Sequence, residues 1–290
     1  MFYSLLMLLA AFSYASNFAI TKVYQIEKGN GIKAGVVFNC INGLLGALLF
    51  LAFNGFKCDI TVYSAIMAFL MTLFAGFYTM IGFKIMSMGN MTIYTVFLML
   101  GGMVVPYIYG VIFLNETITL SKFIAIIVII LAVITQSGKI NAKQSFKYYL
   151  LCVLVFILNG GCSIVSKMHQ IEQIHNIVDP ESFVILKNAA RFLFFALLIP
   201  FLTKENIHLK KNISKTLIVI GGSAIISGLG YVLQLVGASN LPATIQFPII
   251  TGGTIVFSAV FDVLVYKARL SKLQVISVVL CVIATIIFVL

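Results

Sequence analysis

Residues 90–122 read NMTIYTVFLMLGGMVVPYIYGVIFLNETITLSK, and residues 240–272 read NLPATIQFPIITGGTIVFSAVFDVLVYKARLSK. At an offset of 150 the first asparagines coincide, Gly101-Gly102 falls within Thr251-Gly252-Gly253, and both stretches end in Leu-Ser-Lys. Each stretch holds an apolar segment and a short polar turn, and a further apolar segment follows it. Because several landmarks agree at one offset, we predict that a helical hairpin is duplicated within the chain.

The beginning of each half repeats as well. The matching positions are Lys22 with Lys167 and Gln25-Ile26-Glu27 with Gln170-Ile171-Glu172 at an offset of 145, and Asn39 with Asn188 and Asn42 with Arg191 at an offset of 149. The sequence therefore predicts two related halves, residues 1–137 and 148–290, joined by a basic linker over residues 138–147.

The composition is that of a membrane protein. Of the 290 residues, 61% are hydrophobic and 9% are charged, and the mean hydropathy is +1.12; a soluble domain carries about 25% charged residues. The net charge of +11 does not indicate a nucleic-acid partner, because Lys and Arg lie mainly in short loops between apolar runs. The five cysteines are scattered and are read as buried hydrophobic residues, so neither a metal nor another cofactor is predicted.

Ten apolar runs are long enough to cross about 30 Å of hydrocarbon as helices. They cover about residues 2–22, 33–53, 61–84, 91–114, 121–136, 146–167, 182–202, 213–236, 241–265 and 271–290. Since five is an odd number, the second half enters from the opposite side of the membrane. The predicted fold is an all-α integral membrane protein with ten transmembrane helices in two inverted five-helix repeats. Such repeats are typical of secondary transporters, which bind substrate where the repeats meet.

Two five-helix halves, each ending in a Pro-containing helix, a short turn and a final apolar helix, resemble the drug/metabolite transporter superfamily, specifically its EamA-type members. The residues that carry the resemblance are the turn Leu114-Asn115-Glu116 and the basic Arg191 within the seventh helix. The resemblance implies a transporter of a small metabolite in the cell membrane, monomeric or homodimeric. The chain departs from the family pattern, because Tyr266 stands opposite Glu116 and the first helix lacks the carboxylate that small multidrug-resistance relatives use for proton exchange.

Polar side chains are few near the middle of the predicted helices. Tyr14 and Asn159 lie roughly 18–20 Å along their helices, and Asn42 and Arg191 occupy the middle of theirs. We predict that these four residues bind the substrate, together with five others around a shared cavity: Asn17, Tyr78, Tyr231, Gln234 and Gln246. Taken singly, each could instead form a hydrogen bond between helices.

Arg191 lies about 14 Å along its helix, too deep for its charge to reach the interface easily. A charge at that depth costs at least about 2.5–3.5 kcal/mol on insertion scales, so the side chain is expected to face the protein interior or a wet cavity. The predicted helices place no acidic residue at that depth. Either backbone carbonyls freed near Pro106 or Pro248 satisfy Arg191, or the substrate does. The second alternative predicts an anionic or zwitterionic metabolite such as an amino acid.

Two carboxylates are candidates for coupling transport to an ion. Glu116 is either a turn residue that satisfies helix ends or a proton carrier. Asp262, one turn before Tyr266, is either paired with Lys267 or Arg269 or takes part in coupling.

Other polar residues are predicted to have structural roles. Lys22 and Lys167 lie at helix ends and are expected to extend to the interface as anchors. His169, Glu172 and His175 are spaced by three residues, but we expect them to lie in a loop rather than to bind a metal.

Two further classes of protein were weighed. A membrane-embedded enzyme normally shows clustered carboxylates, histidines or a nucleophile at a helix end, and the sequence shows none of these clusters. An accessory subunit of a lipid-carrier flippase belongs to the same superfamily and stays open as an alternative.

The loop charges predict the topology. The loops that follow the odd-numbered helices hold 14 of the 19 Lys and Arg residues, helix ends included. The positive-inside rule then places both termini outside the cytoplasm. The family resemblance implies termini inside, and we favour the charge distribution because it belongs to this chain.

Overall fold

The computed structural model describes residues 2–29, 31–88, 91–136, 145–202, 213–265, 267 and 271–289. This part of the chain forms ten α-helices and one 3₁₀ helix. The α-helices are α1 (Phe2–Lys28), α2 (Ile32–Phe53), α3 (Val62–Met88), α4 (Met91–Phe113), α5 (Leu120–Gln136), α6 (Phe146–Ile171), α7 (Pro180–Leu198), α8 (Ile213–Asn240), α9 (Ala243–Leu264) and α10 (Lys272–Val289), and the 3₁₀ helix Ile199–Phe201 continues α7. Asn90 and most of the predicted linker, residues 138–144, lie outside the described residues.

All ten apolar runs form helices. Seven of them are long and apolar enough to cross a membrane by length and composition, and α4, α5 and α10 contribute shorter apolar helices. Large apolar side chains lie exposed on the outer faces, among them Leu48, Ile218 and Leu264. Such a surface is stable against lipid rather than water, so the chain is a multi-pass membrane protein.

The apolar runs underestimate the length of four helices, one of which is α3, which continues past residue 84 to Met88. α1 continues past residue 22 to Lys28, α6 past residue 167 to Ile171, and α8 past residue 236 to Asn240. α1, α6 and α8 continue through polar residues at the membrane–water interface. Helical backbone hydrogen bonds can form there whether or not the side chains are apolar. As a result, Lys22 and Lys167 lie within helices rather than at their ends.

The helices pack in a pattern that repeats when the two halves are exchanged. α1 packs against α8 and α9, and the equivalent helix α6 packs against α3 and α4. α2 contacts α8 as its equivalent α7 contacts α3. Three pairs, α2–α7, α4–α9 and α5–α10, join a helix to its own counterpart. The helices of the two predicted halves are therefore interleaved rather than separate.

Glycine allows two of these close approaches. A Cβ added at Gly43 in α2 would lie 2.7 Å from the backbone nitrogen of Phe192 in α7. A Cβ added at Gly101 in α4 would overlap the backbone carbonyl of Phe156 in α6. Both helix pairs therefore depend on a residue without a side chain at the crossing point.

Candidate functional site

The guanidinium of Arg191 in α7 is held by two asparagines of α2. Its Nη1 donates to Asn42 Oδ1 at 2.8 Å, and its Nε donates to Asn39 Oδ1 at 3.1 Å. Nη2 makes a further hydrogen bond to Asn39 Oδ1. Of the two alternatives for Arg191, backbone carbonyls near Pro106 or Pro248 form none of these hydrogen bonds, and amide oxygens of the facing helix α2 form them instead.

Asn39 was missed as a site residue. It is buried, and its own Nδ2 donates to Gly35 O at 2.7 Å, which fixes the amide with its oxygen toward Arg191. Two features of the sequence could have identified it. Asn39 lies one helical turn before Asn42, and it matches Asn188 at the offset that also pairs Asn42 with Arg191.

A chain of hydrogen bonds continues from Arg191 across three more helices. Asn42 Nδ2 donates to Ser223 Oγ in α8 at 3.2 Å, and Ser223 Oγ donates to Asn17 Oδ1 in α1 at 2.6 Å. The predicted residues Asn42, Arg191 and Asn17 thus belong to one network, with Ser223 as the link that sequence reasoning did not single out.

A second group of predicted residues joins α1, α8 and α9. Tyr14 Oη donates to Gln234 Oε1 at 2.6 Å, and Gln246 Nε2 donates to the backbone oxygen of Gln234 at 2.7 Å. Gln246 is fully buried, and its Oε1 has no hydrogen-bond partner among the described residues. Gln234 therefore serves as a common partner for side chains from two other helices.

Lys187 stands one turn before Arg191 on α7 and faces the ring of Tyr231 in α8. Its Nζ lies 3.4 Å from the ring centroid, a cation–π contact. Tyr231 Oη donates to Met71 Sδ in α3 at 2.9 Å. The phenol of Tyr78 lies within electrostatic range of Arg191 and of Tyr14. Two cations and three tyrosines therefore gather among α1, α3, α7 and α8.

Asn159 is placed differently from the other predicted residues. Its Nδ2 donates to the backbone oxygen of Leu98 in α4 at 2.7 Å, and Ser163 Oγ, one turn later, donates to Gly102 O at 3.2 Å. No hydrogen bond in the described part of the chain joins Asn159 to the Arg191 network. Its contacts fit a link between α6 and α4.

Glu116 and Lys167 hold the corner between α8 and α9. Glu116 Oε1 accepts from the backbone nitrogen of Ala243 at 2.7 Å, and Oε2 accepts from that of Thr244 at 2.8 Å. A carboxylate at a helix N-terminus satisfies free N–H groups and complements the helix dipole. Lys167 Nζ donates to the oxygens of Ala238 and Leu241 at 2.6 and 2.5 Å.

The interfacial anchor predicted for Lys167 is wrong. Its side chain is only 4% exposed, because α6 is longer than its apolar run and directs the lysine toward the C-terminal carbonyls of α8. Cations are favoured at that end of a helix.

Asp262 forms an ion pair at the other end of the bundle. Its Oδ1 lies 3.1 Å from Nζ of Lys22, and both side chains are nearly half exposed. The expected partner Arg269 lies outside the described residues, and no ion pair with Lys267 is found among them. Asp262 instead joins α9 to α1.

His169, Glu172 and His175 form no metal site. The described residues contain no group of three or more potential ligands. His169 is buried, stacks on Phe183 with ring centroids 3.9 Å apart, and lies 2.8 Å through Nε2 from Ser64 Oγ. The amide nitrogen of Gln170 can only donate, so Nδ1 of His169 accepts a hydrogen bond from it. The proton of the neutral imidazole therefore lies on Nε2 of His169, which donates to Ser64 Oγ.

Glu172 organises the loop after α6. Its Oε1 accepts from the backbone nitrogens of Gln173, Ile174 and His175 at 2.8–3.3 Å. The hydrogen bond from the Ile174 backbone above all, and that from the His175 backbone, lower the pKa of Glu172 from 4.5 to about 2. Glu172 and His175 thus lie in a loop as predicted, whereas the prediction is wrong for His169, because α6 continues to Ile171.

An apolar groove lies apart from the polar network. Its volume is about 310 Å³, and it is lined by α1, α9 and α10, with Leu8, Phe257 and Ile286 among its residues. It contains none of the charged or amide side chains described above. A groove of this composition suits lipid chains rather than a polar metabolite.

Comparisons with known proteins point to one family. Residues 146–290 match the model of the EamA-like transporter family. A solved structure described as "Crystal structure of protein" is similar over 97% of this chain and 95% of its own, with a TM-score of 0.71 and 13% sequence identity, which indicates a shared fold. No curated protein matches the sequence.

Proposed function

Because the chain belongs to the EamA-like transporter family, we propose that it is a secondary transporter that moves a small anionic or zwitterionic metabolite across the cell membrane by alternating access. The family consists of membrane transporters rather than enzymes.

The hydrogen bond between Arg191 and Asn42 is the observation that carries the proposal. These two residues occupy matching positions of the two halves, and they touch. In a duplicated protein, a pseudo-two-fold axis relates the two halves. Two equivalent positions can touch only if both lie close to that axis. Transporters built from inverted repeats bind their substrates at that place.

We propose that the substrate lies beside Arg191, Asn42 and Asn17 on one side and Tyr14, Tyr78, Tyr231, Gln234 and Gln246 on the other. The polar side chains come from helices of both halves, so a movement of one half against the other changes access to the site. Asn159 joins α6 to α4 and is assigned a structural role in this proposal.

Glu116 and Asp262 are proposed to stabilise helix contacts rather than to carry protons. Both oxygens of Glu116 accept backbone hydrogen bonds, and Asp262 is paired with Lys22. Protonation of either carboxylate would weaken those contacts, so a proton-carrying role would disturb the helix packing.

Purified protein in proteoliposomes tests the function. We expect saturable uptake of a labelled metabolite that is accelerated when the unlabelled compound is loaded inside, since counterflow is a property of carriers. Conductance at channel rates in planar bilayers would contradict the proposal, and so would conversion of the metabolite to a new compound.

A further inference from the structure

We propose that Lys187 is a second substrate-binding residue and that the substrate is a small organic dianion, such as a dicarboxylate or a phosphate monoester, rather than a zwitterion. This inference rests on the proposed transport function and narrows its substrate class.

The charges of the site favour a dianion. Lys187 and Arg191 lie one turn apart on α7, and both are partly exposed. The three ion pairs found among the described residues join other side chains, so neither cation has a carboxylate partner there. A zwitterion adds no net charge and a monoanion balances one cation. A dianion balances both in a region where uncompensated charge is unfavourable.

The hydrogen-bonding groups favour the same class. A guanidinium has five N–H donors, and three of those of Arg191 are used by Asn39 and Asn42. The remaining donors of Arg191 and the Lys187 ammonium, which lies over the Tyr231 ring, are available for a ligand.

Four of the amide oxygens nearby are occupied, whereas Oε1 of Gln246 has no hydrogen-bond partner among the described residues. Those of Asn39, Asn42, Asn17 and Gln234 each accept a hydrogen bond from another side chain. The cluster therefore presents donors, which suit carboxylate or phosphate oxygens and leave the ammonium of a zwitterion with few acceptors.

A matched set of four-carbon probes tests the charge preference. Succinate is a dianion, butyrate a monoanion and 4-aminobutyrate a zwitterion, and glycerol 3-phosphate adds a phosphate dianion. The thermal stability of the purified transporter in detergent is measured with each probe at increasing concentration. We expect a concentration-dependent rise in Tm with one or both dianions and a much smaller one with the other probes.

Variants of Lys187 test whether this residue binds the dianion. Lys187→Met should weaken the apparent affinity for the dianion on the order of tenfold or more, because a charge-assisted hydrogen bond is lost, whereas Lys187→Arg should retain most of it. Lys147→Met, at an exposed position near the start of α6, is the control and should bind normally.

Three results would overturn this inference: stronger stabilisation by 4-aminobutyrate than by either dianion, no stabilisation by any probe, or unchanged dianion affinity in Lys187→Met. Counterflow of a zwitterion alone would reject the dianion while the transport function stands. Absence of counterflow for every solute would reject the transport function itself.

The two ends of the bundle differ in a way that carries a second, independent inference. At the end where α6 and α8 finish, the buried Lys167 and the half-buried Glu116 hold the α8–α9 corner, and α6 packs against α8. At the opposite end, where α1 finishes, the matching Lys22 is exposed and pairs with Asp262.

We infer that the structure is closed at the Lys167 end and open at the Lys22 end, and that exchanging these arrangements gives the opposite state. In that state Lys22 binds the C-terminal carbonyls of α3, and Asp262 caps the N-terminus of α4. The inference follows from the predicted inverted repeat. When the contacts of Lys167 and Glu116 break at one end, the equivalent contacts of Lys22 and Asp262 form at the other end.

Distances between spin labels test this exchange. Labels at Ile174 and Asn240, both exposed at the Lys167 end, are introduced into a background without native cysteines. We expect one short distance in the parent protein and an added longer one in Lys167→Met. Glu116→Gln should also add the longer distance, and it replaces Lys167→Met if that variant does not fold. Lys22→Met is the control and should leave the short distance unchanged. An unchanged distance in both Lys167→Met and Glu116→Gln, or a lengthened one in Lys22→Met, would contradict the inference.

Discussion

Arg191 in α7 donates a hydrogen bond of 2.8 Å to Asn42 in α2, and the two residues stand at matching positions of the two predicted halves. If the halves arose by the predicted duplication, two equivalent positions are in contact and have different chemistry, a cation in one half and a neutral amide in the other.

Replacing Asn42 by Asp tests what balances this cation. The carboxylate would pair with Arg191 at the same distance, so Asn42→Asp should fold with thermal stability close to that of the parent protein. Transport of an anion should fall strongly, because the new charge takes the place of the substrate. Uptake assays and thermal melts of the same preparation check both points. Transport at the parental rate would show that Arg191 does not bind an anion.

Removing the amide altogether should affect stability instead. Asn42→Ala deprives Arg191 Nη1 and Ser223 Oγ of a partner, and a buried polar group without a hydrogen bond costs about 1–3 kcal/mol. We expect a lower Tm in detergent than for Asn176→Ala, an exchange at an exposed position of the loop after α6 that serves as the control. Equal melting of the two variants would contradict the role given to Asn42.

Two glycines provide a matched test of helix packing. Gly101 faces the Phe156 carbonyl, whereas a Cβ at Gly222 would meet nothing within 4 Å. Gly101→Ala should therefore destabilise the protein by about 1–3 kcal/mol through overpacking, and Gly222→Ala should be neutral or slightly stabilising because alanine favours helix. Melting temperatures of both variants check this, and a reversed order would argue against the α4–α6 contact.

Glu172 should make stability depend on acid pH. Its pKa is lowered from 4.5 to about 2 in the folded state, chiefly by the hydrogen bond from the Ile174 backbone. A lowered pKa stabilises the fold above the unfolded value, and this contribution is lost as the pH falls from about 4.5 toward 2. The difference in Tm between the parent protein and Glu172→Gln should be constant above that range and shrink within it. His175→Ala keeps the backbone donors and should retain most of the pH dependence; a pH-independent difference for Glu172→Gln would refute the assignment.

Much of the fold could be predicted from the sequence, because each helix that crosses hydrocarbon must be apolar over about 20 residues. All ten runs correspond to helices, and the family resemblance is confirmed by the match over residues 146–290. The helix ends were less predictable, since polar residues continue α1, α6 and α8 beyond their apolar runs.

The contacts of the site were harder to predict because they join distant parts of the chain. Glu116 caps a helix that begins 127 residues later, and Lys167 binds carbonyls more than 70 residues away. Nothing local in the sequence distinguishes such a lysine from an interfacial anchor. Asn42 and Arg191 could be found as a pair because duplication leaves matching positions, whereas Ser223 has no such signal.

The direction in which the open end faces depends on topology. The loops at the Lys22 end carry most of the Lys and Arg residues, so we predict that this end is cytoplasmic and that both termini lie outside. A C-terminal reporter that is active only in the cytoplasm should give little signal. A bright signal would reverse the topology, and the described state would then be open to the outside.

Counterflow with Arg191 variants tests the central claim most directly. Protein with Arg191→Gln should be monodisperse in detergent and melt as a folded protein, yet carry no labelled substrate into loaded proteoliposomes. Arg191→Lys should transport weakly, because it keeps the charge and loses the planar fork that Asn39 and Asn42 hold. Counterflow by Arg191→Gln at the parental rate and affinity would show that this residue only supports helix packing and that the substrate binds elsewhere.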